Sequence, residues 1–589
     1  MKKRWISLGL AMALSVSLLA GCNKQATNGT QNQSAQNTSS QAQSTENAGV
    51  ENQPDQSIAT DTSDMFGNYS LNILDDKYRT TYEIFVYSFY DSNGDGIGDL
   101  NGVRQKLDYI NDGDDTTRTD LGCNQIWLMP ISPSPTYHKY DVMNYTDIDP
   151  QYGTMEDFDA LVQDCHDRGV NIIIDLVLNH TSSQHDWFKA ACEYLKTVDS
   201  PDKLDSEQCP YIDYYNFVTE KADGYEKVPG TDNWYYEARF WSEMPDLNLD
   251  SDKVREEIAN ITGFWIEHGV DGFRLDATTY YYTGDDTKNI EFMTWLNDTV
   301  KSQKEDAYIV GEAWSNQATY SKYYASGIDS FFAFDYAGSE GTIAGIARGT
   351  SSAAGYADRL SQTEQLFSSI NPDYVDAPFY TNHDMARAAG YYTGKGSQDK
   401  LKLSAALNLL MGGNAFIYYG EELGMKGSGK DENKRAPMYW ADGDYEGKCD
   451  GPKDMDDVQM TYPSLEEQAA DPYSIYNYYK AAILLRNAYP VIARGTTTPV
   501  ETLSDKNLAC FVRALPEEKK SLYDMSTFGP ESLLILVNTS AEPVTVDLSK
   551  DTTASAYTEL AYELLTAEGE VTIDASSVTV PAYGIVVLK

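Results

Sequence analysis

Short apolar runs alternate with helix-like segments from residue 82 to residue 488, and this alternation limits the possible folds more than any other feature. The runs predicted as strands cover residues 82–90, 123–128, 171–178, 272–275, 308–310, 330–334, 377–381 and 415–419. The segments predicted as helices cover residues 102–110, 155–168, 252–267, 289–304, 400–411 and 473–488. Such alternation indicates βαβ units and a parallel sheet. Eight strands in this rhythm predict an α/β fold, a closed (β/α)8 TIM barrel.

The alternation is interrupted once and later ends. After strand three a stretch rich in Tyr, Asp and turn-forming residues has no clear period, so we interpret it as an inserted domain. Beyond about residue 490, short apolar runs without helical patterning predict an antiparallel β-sandwich domain. The predicted barrel consists of residues 65–180 and 251–489. The inserted domain is predicted at residues 181–250, and the C-terminal β-domain at residues 490–589.

The N-terminus, residues 1–22, has the pattern of an export signal. Three basic residues precede an apolar run from residue 5 to residue 20, which is too short to span a bilayer stably. The sequence Leu19-Ala-Gly-Cys22 resembles the bacterial lipobox, which implies lipidation of Cys22; the alternative is an ordinary signal peptide with a chance cysteine. We therefore expect an exported protein, lipid-anchored to the outer face of the cell membrane.

Residues 23–64 consist almost entirely of Gln, Asn, Ser, Thr, Ala and acidic residues. Such a stretch buries too little apolar surface to offset the entropy of ordering it. We predict a disordered tether between the anchor and the folded body.

The formal net charge of −45 argues against nucleic acid or an anionic membrane surface as a partner, so the lipid anchor is the only predicted membrane contact. The seven cysteines include no C-x-x-C pair, so neither a zinc site nor a disulfide framework is indicated. Cys192 and Cys209 are near enough in sequence to pair, but nothing favours that bridge. The sequence gives no prediction of oligomeric state.

Polar residues follow several predicted strands, at the end of a TIM barrel where active sites are built. Arg274 and Asp276 are two residues apart, so on a strand they point the same way; alone, they would be read as a structural ion pair. Two more carboxylates, Glu312 and Asp384, are expected on the same rim of the barrel as this pair. The motifs after strands two, three, five and seven are Tyr137-His-Lys-Tyr-Asp141, Asp175-Leu-Val-Leu-Asn-His180, Glu312-Ala-Trp314 and Asn382-His-Asp384.

Two convergent carboxylates are what glycosidic hydrolysis requires. One attacks the sugar or activates water, and the other protonates the leaving oxygen. Like charges placed close together raise one pKa, which keeps the acid protonated near neutral pH. A neighbouring guanidinium such as that of Arg274 would keep the nucleophile ionised.

These motifs resemble the sequence regions that mark the α-amylase family, glycoside hydrolase family 13. The resemblance implies that Asp276 is the nucleophile, Glu312 the general acid/base and Asp384 the third carboxylate, which holds sugar hydroxyls. It also implies retention through a covalent glycosyl-enzyme, with the two reacting carboxyl groups about 5–5.5 Å apart. Residues implied to bind the sugar by contact, stacking or hydrogen bonding are Arg274, His180, His383, Tyr140 and Asp141.

Further stretches bear on the subgroup. Met244-Pro-Asp-Leu-Asn248 resembles the form found between neopullulanases and oligo-1,6-glucosidases, and residues 435–440 resemble a stretch of oligosaccharide-acting members. Many α-1,4-acting members carry Lys-His at the positions of Thr279 and Tyr280, where they contact the leaving side. That departure leaves the balance between hydrolysis and transfer open.

The segment Asp91-Ser-Asn-Gly-Asp-Gly-Ile-Gly-Asp99 places oxygen ligands at alternate positions, with glycines at the tight turns. It is not an EF-hand, because Gly102 stands where the bidentate Glu would be. It resembles instead a calcium loop after strand one in several family members; the alternative is an acidic turn without an ion. The implied Ca²⁺ ligands are Asp91, Asn93, Asp95, Ile97 through its carbonyl, and Asp99.

The sequence thus predicts a retaining α-glucan hydrolase acting on α-1,4 bonds of starch and maltooligosaccharides, its α-glucan partners. One alternative is an α-1,6-acting hydrolase, neopullulanase or glucanotransferase of the same family. A more remote alternative is a non-catalytic glucan-binding lipoprotein. The presence of all three carboxylates argues against it.

Overall fold

The computed structural model describes residues 69–589. The predicted signal peptide with Cys22, and the predicted tether, lie outside this range. Among the described residues, no helix is both long enough and apolar enough to cross a membrane.

Eight parallel strand positions close into a barrel. The first ten strands within the described range are β1 (Thr80–Ile84), β2 (Gln125–Leu128), β3 (Asn171–Leu176), β4 (Phe217–Val218), β5 (Tyr225–Lys227), β6 (Tyr235–Glu237), β7 (Gly272–Leu275), β8 (Tyr308–Gly311), β9 (Ser330–Phe331) and β10 (Ala415–Tyr418). Seven of them form one sheet in the order β10-β1-β2-β3-β7-β8-β9. Parallel bridges from Phe332 to Ala377 and from Phe379 to Phe416 complete the ring. The predicted TIM barrel is confirmed, although its seventh strand consists only of these two bridges.

The barrel strands are almost wholly buried, so they lack the regular apolar and polar alternation of a half-exposed strand. Their register aligns the polar exceptions: Asp175 on β3 pairs with Arg274 on β7, which pairs with Val310 on β8. The residues that follow these three strands therefore emerge side by side at the carboxyl end of the barrel.

The first strand ends earlier than its apolar run predicts. Residues 82–90 were predicted as one strand, but β1 ends at Ile84 and a 3-10 turn covers Val86–Ser88. The loop that follows folds back on this turn, and the Gly98 amide donates to the Tyr87 carbonyl at 2.9 Å. This backbone pairing is nonlocal, and the strand pattern does not reveal it.

Helices surround the barrel where the 3.6-residue pattern places them. Asp252–Glu267 has its predicted bounds, and the helix at Met155–His166 begins with a capping box between Thr154 and Asp157. The other helices of eight residues or more are Asp186–Leu195, Asp286–Gln303, Ala354–Ile370, Ser397–Leu409 and Ile475–Ala488. Shorter ones are Leu100–Gln105, Leu107–Ile110, Gln317–Tyr320, Thr342–Arg348, Asp431–Lys434, Leu465–Gln468 and Val491–Arg494.

Two helices between the sixth and seventh strand positions, Thr342–Arg348 and Ala354–Ile370, were not predicted. The longer one contains Gly355 and several Ser and Thr residues, which weaken its intrinsic helix preference. It packs against two strands of the C-terminal domain, so tertiary contacts stabilise it.

The inserted segment carries the helix Asp186–Leu195 and a small antiparallel sheet in the order β4-β6-β5. An antiparallel bridge from His180 to Asp246 joins the two ends of the insertion, and a second one from Tyr215 to Leu247 connects its middle to its C-terminal end. The insertion therefore starts and finishes beside the end of β3.

The C-terminal region is antiparallel. Its strands are β11 (Thr496–Pro499), β12 (Leu508–Ala514), β13 (Ser532–Asn538), β14 (Val544–Asp547), β15 (Leu560–Leu564), β16 (Thr572–Asp574), β17 (Ser577–Val580) and β18 (Ile585–Leu588). They form a sheet in the order β11-β12-β13-β18-β15 and another in the order β14-β17-β16. Apolar side chains from both sheets share one buried cluster, as expected of the predicted β-domain.

All six cysteines in the described range are free and buried, including Cys192 and Cys209.

Candidate active site

A buried guanidinium lies at the centre of the site. Arg274 Nη1 is 2.8 Å from Asp175 Oδ1 and 2.7 Å from Asp276 Oδ1, and Nη2 is 3.1 Å from Glu312 Oε2. Arg274 is only 1% exposed, so these contacts are little screened by water. The ion pair expected from the Arg274–Asp276 spacing therefore exists, and it is part of a four-residue cluster.

Glu312 has the setting of a proton donor. Its carboxyl is buried, and the Ala277 amide donates to Oε2 at 3.1 Å. Burial, with further contributions from the charges of Asp276 and Asp384, raises the pKa of Glu312 to about 7, against the lowering effect of Arg274. Near neutral pH this carboxyl is thus divided between its protonated and ionised forms.

The residue after Asp276 has an unusual backbone conformation. Ala277 has φ of 51°, in the left-handed region that non-glycine residues rarely occupy. This conformation directs the Ala277 amide at Glu312 and turns the chain away from the barrel immediately after Asp276. Local strain is thus located between the two predicted reacting carboxyls.

Asp384 is held ionised by two cations. Arg435 Nη2 lies 2.8 Å from its Oδ1, and His383 Nε2 lies 3.1 Å from its Oδ2. Burial opposes ionisation, but the charge and hydrogen bond of His383, and then Arg435, keep the pKa of Asp384 well below its usual range. The two carboxylates Glu312 and Asp384 therefore differ in protonation, although both belong to one site.

His383 is buried between two acids. Its Nδ1 is 2.5 Å from Glu83 Oε1, which projects from β1 inside the barrel. Burial favours the neutral ring, yet Asp384 and Glu83 together raise the pKa of His383 to about 9. The imidazolium is then the stable form at neutral pH.

Tyr140 contacts the His383 ring. Its hydroxyl is 2.8 Å from His383 Nε2 and 3.0 Å from Asp175 Oδ2, and its ring is stacked on the His383 ring with centroids 5.6 Å apart. His180 lies nearby with Nε2 3.2 Å from the Tyr140 carbonyl, and burial lowers the pKa of this histidine. Tyr140 and the neutral His180 both line the cleft.

Asp141 is fully buried and, unlike Tyr140 and His180, does not line the cleft. Ser134 and Thr136 donate to its Oδ1, and its Oδ2 has no hydrogen-bond partner among residues 69–589. Asp141 lies behind the cleft wall, so its predicted contact with sugar hydroxyls stays a prediction.

The cleft has a volume of about 540 Å³. Asp276, Glu312 and Asp384 line it together, while Arg274 and His383 support them from behind. The remaining wall residues are His138, Tyr140, His180, Phe240, Met244, Ala277, Thr279, Tyr280, Trp314, Asp431 and Arg435. A second cleft of about 530 Å³ continues past Trp314 and Asp384, which line both.

Several residues of this site were not selected from the sequence. Glu83 is the one charged residue of β1, and that exception was the available signal. Asp175 and Arg435 are the first residues of two motifs, and the sequence predicts no role for either residue. Phe240 lies in the unpatterned insertion, where nothing in the local sequence marks it.

The Asp91–Asp99 loop has the donor chemistry of a calcium site. The carboxylate of Asp91 accepts the Gly94 and Gly96 amides at 2.7 Å each, and Asp99 accepts from Ser92 and Gly102. Across residues 69–589, no three His, Cys, Asp or Glu side chains converge as a ready metal site. An ion here would need the amide oxygen of Asn93 and the Ile97 carbonyl beside the acids, which is the mixed oxygen set that Ca²⁺ accepts.

Known proteins share this architecture. The profile of the family described as "Alpha amylase, catalytic domain" matches residues 83–495. The chain belongs to the α-amylase family. This membership covers the barrel with its insertion, so the chain is a glycoside hydrolase, and the non-catalytic alternative is set aside.

Relatives within the α-amylase family fit the predicted subgroup. Alpha-amylase 3 of Dictyoglomus thermophilum is 40% identical over 455 residues, covering 74% of this chain and 82% of the relative. A probable oligo-1,6-glucosidase 3 of Bacillus subtilis is 29% identical over 489 residues, covering 71% and 85%. Similarity to both kinds of enzyme agrees with a position between them.

Among solved structures, Amy13B of Eubacterium rectale is 46% identical, with a TM-score of 0.83, and the match covers 90% of this chain and 99% of that one. The α-amylase of H. orenii is 34% identical with a TM-score of 0.73, covering 87% and 99%. The α-amylase fold therefore extends over nearly all of the described range.

Proposed function

We propose that this enzyme hydrolyses α-1,4-glucosidic bonds in starch and maltooligosaccharides with retention of anomeric configuration. The observation that carries the proposal is the contact of one buried guanidinium with both Asp276 and Glu312 on the wall of the cleft. The similarity to alpha-amylase 3 supports the α-1,4 preference.

In the first step Asp276 acts as the nucleophile. One of its carboxylate oxygens bonds to the anomeric carbon as the glycosidic C–O bond breaks. Glu312 gives its proton to the departing oxygen, so the leaving sugar departs as a neutral alcohol. Arg274 holds Asp276 in position, because the two groups are 2.7 Å apart.

In the second step the glycosyl-enzyme is hydrolysed. Glu312 is now ionised and takes a proton from water as the water oxygen bonds to the anomeric carbon and the Asp276 ester opens. The raised pKa of Glu312 suits both roles, since a group near pH 7 gives and takes a proton with similar ease. Asp384, kept anionic, binds sugar hydroxyls and stabilises the positive charge that develops on the ring.

The test is hydrolysis of maltoheptaose by the purified protein, with the anomeric form of the first products read by proton NMR. We expect α-products, and loss of activity in Asp276→Asn. Comparing the products formed from pullulan, isomaltotriose and maltotetraose separates the α-1,6-acting and transferase alternatives. The similarity to oligo-1,6-glucosidases is the reason to test them. A preference for isomaltotriose would overturn the α-1,4 assignment.

We also propose that Ca²⁺ binds the loop formed by Asp91, Asn93, Asp95, Ile97 and Asp99. The alternating oxygen donors support this, and the ion would stabilise the loop that packs on the end of β1.

For localisation we propose export and anchoring through a lipidated Cys22, on the basis of the Leu19-Ala-Gly-Cys22 pattern. Metabolic labelling with a radioactive fatty acid tests this: we expect the label in the full chain and its loss in Cys22→Ser. Equal labelling of the two would contradict the anchor.

A further inference from the structure

A large cleft, which we call the basal cleft, lies between the barrel and the C-terminal domain. Its volume is about 680 Å³, against about 540 Å³ for the catalytic cleft. Tyr78, Asp376 and Gly413 line it, and they precede β1, the seventh strand position and β10. These are the amino ends of parallel strands, whereas the catalytic carboxylates follow carboxyl ends. The basal cleft therefore lies at the end of the barrel opposite the active site.

Glu364 joins the two domains at the basal cleft. It belongs to the helix Ala354–Ile370, and its Oε2 accepts from the Thr497 amide of β11 at 2.6 Å. Its Oε1 pairs with Arg513 of β12, whose Nη1 also donates to Thr497 Oγ1 at 2.7 Å. Arg513 is only 1% exposed. These largely buried contacts fix the shape of the cleft before any ligand binds, which lowers the entropic cost of binding one.

The arginines of the basal cleft are already paired. Arg494 contacts both oxygens of Asp76, with its Nη2 at 2.6 Å from Oδ1 and its Nε at 2.8 Å from Oδ2. Its guanidinium also lies 5.3 Å from the centre of the Tyr78 ring. Arg513 is paired with Glu364 in the same way. The cleft therefore does not offer two free guanidinium groups to an anion.

Asp376 is a buried acid in the lining of the basal cleft. Its Oδ1 accepts from the Ala377 amide at 2.9 Å, and the residue is 9% exposed. Burial raises the pKa of Asp376 to about 7, because the Ala377 amide and Arg513 offset only part of this effect. A carboxyl group that is partly protonated near neutral pH can donate to a hydroxyl or accept from one.

The rest of the lining suits an uncharged ligand with many hydroxyls. Four acids and three bases nearly balance in charge, and six serine or threonine side chains accompany them. Leu522, which is 70% exposed, and Tyr374 add apolar surface. A glucosyl unit is an uncharged ring with hydroxyls at its edge and C–H groups on its faces, so it uses both kinds of surface. The volume lies within the range of about 300–1,000 Å³ typical of small-molecule sites.

We propose that the basal cleft binds a segment of α-glucan chain as a second, non-catalytic carbohydrate site. The choice of ligand rests on the proposed function, whereas the cleft itself does not. The two clefts are at opposite ends of the barrel, so a short oligosaccharide occupies one of them at a time. A long or branched polymer reaches both, and binding at the basal cleft raises the effective concentration of further chain segments at the active site.

Equilibrium dialysis with radiolabelled maltoheptaose tests the proposal, in an Asp276→Asn background that prevents hydrolysis. We expect two molecules bound per chain. Ser368 lines the basal cleft and is exposed on the helix Ala354–Ile370, so Ser368→Trp fills the cleft without entering the core. Adding this change should leave one bound molecule.

The neighbouring Ser369 provides a matched control. It is exposed on the same helix but does not line the basal cleft, so Ser369→Trp should keep both bound molecules. Asp376→Asn keeps the shape of the side chain and removes its acidic group, so it should weaken one of the two sites about tenfold. This variant also tests the site if Ser368→Trp does not fold.

Activity separates the two sites. With Asp276 intact, Ser368→Trp should keep kcat/KM for maltotetraose within about twofold of wild type. Its bound fraction on insoluble starch should fall, while that of Ser369→Trp should not.

Two bound molecules in Ser368→Trp, or a single one that neither Ser368→Trp nor Asp376→Asn affects, would overturn the basal site. Equal losses in Ser368→Trp and Ser369→Trp would overturn it too. A wild-type protein that hydrolyses no α-glucan would overturn the proposed function instead, and maltoheptaose displaced by Ser368→Trp would still establish the basal site.

Discussion

Glu83 Oε1 and His383 Nδ1 form a buried pair 2.5 Å apart, joining the first strand of the barrel to the loop that carries Asp384. Both side chains are almost inaccessible to solvent, at 2% and 1%. The charge state of His383, and through it that of Asp384, therefore depends on an acid that no sugar touches. Glu83 is a positioning residue.

We expect Glu83→Gln to lower kcat at least about tenfold, because His383 loses the partner that favours its charged form. Maltoheptaose kinetics across pH would show the loss growing above pH 6, where the variant imidazole loses its proton. Glu422→Gln is the control, since Glu422 is a buried acid that accepts from the hydroxyls of Tyr82 and Tyr109. A pH profile shared by the two variants would refute the positioning role.

The same pair makes a pH-dependent contribution to stability. The folded-state pKa of His383, about 9, is above its ordinary value. The stabilisation is thus fully present below about pH 6.5 and is lost as the pH rises through about 9. Thermal unfolding of wild type and Glu83→Gln should differ more at pH 6 than at pH 9.5; a constant difference would contradict this.

The alkaline side of the pH–rate profile should follow Glu312. The first step needs this group protonated, so kcat/KM should fall about tenfold per unit above the pKa of about 7. Glu312→Gln should lose about a hundredfold or more on maltoheptaose. It should still react with α-maltosyl fluoride, whose leaving group needs no proton. Equal losses on the two substrates would show that Glu312 is not the acid.

Arg274→Lys tests the central guanidinium. A lysine ammonium cannot span Asp175, Asp276 and Glu312, so buried carboxylates are left without a partner. We expect the free energy of unfolding to fall by about 3–5 kcal/mol, measured by denaturant titration. Full stability together with unchanged kcat in this variant would mean that the three contacts contribute nothing.

Chelation tests the calcium loop. Removing a ligand that binds only the native state must lower the melting temperature, and calcium at about a hundred times its Kd contributes about 2.7 kcal/mol. Asp91→Asn should have the lower melting temperature already and should not respond to EDTA, whereas Asp114→Asn, in another acidic loop, should respond as wild type does. An unchanged wild-type melting temperature in excess chelator would count against the ion.

Periodicity was sufficient to predict the barrel, because strands buried on both faces read as apolar runs and their helices as 3.6-residue patterns. It failed at residues 377–381, where the apolar run forms two bridges instead of a ladder, and at Ala354–Ile370, a helix stabilised by contacts with a distant domain. Neither outcome depends on local sequence.

In the site, the rim position of each motif was predictable from where its strand ends. The partners were not: Glu83 reaches His383 across the barrel, and Phe240 reaches Tyr280 from the insertion. Both contacts join residues far apart in the chain, so only the fold brings them together. The sequence does not determine how the sugar on the leaving side is bound near Thr279 and Tyr280. The structure shows that the Tyr280 ring contacts the Phe240 ring.

The central claim is that Asp276 forms the covalent intermediate, and trapping it tests this most directly. The protein would be incubated with 5-fluoro-α-glucosyl fluoride, which slows breakdown of the glycosyl-enzyme, and its peptides analysed by mass spectrometry. We expect one added fluoroglucosyl group on Asp276, with none in Asp276→Asn. A label on Glu312 or Asp384, or no label on a protein that hydrolyses maltoheptaose, would contradict the assignment.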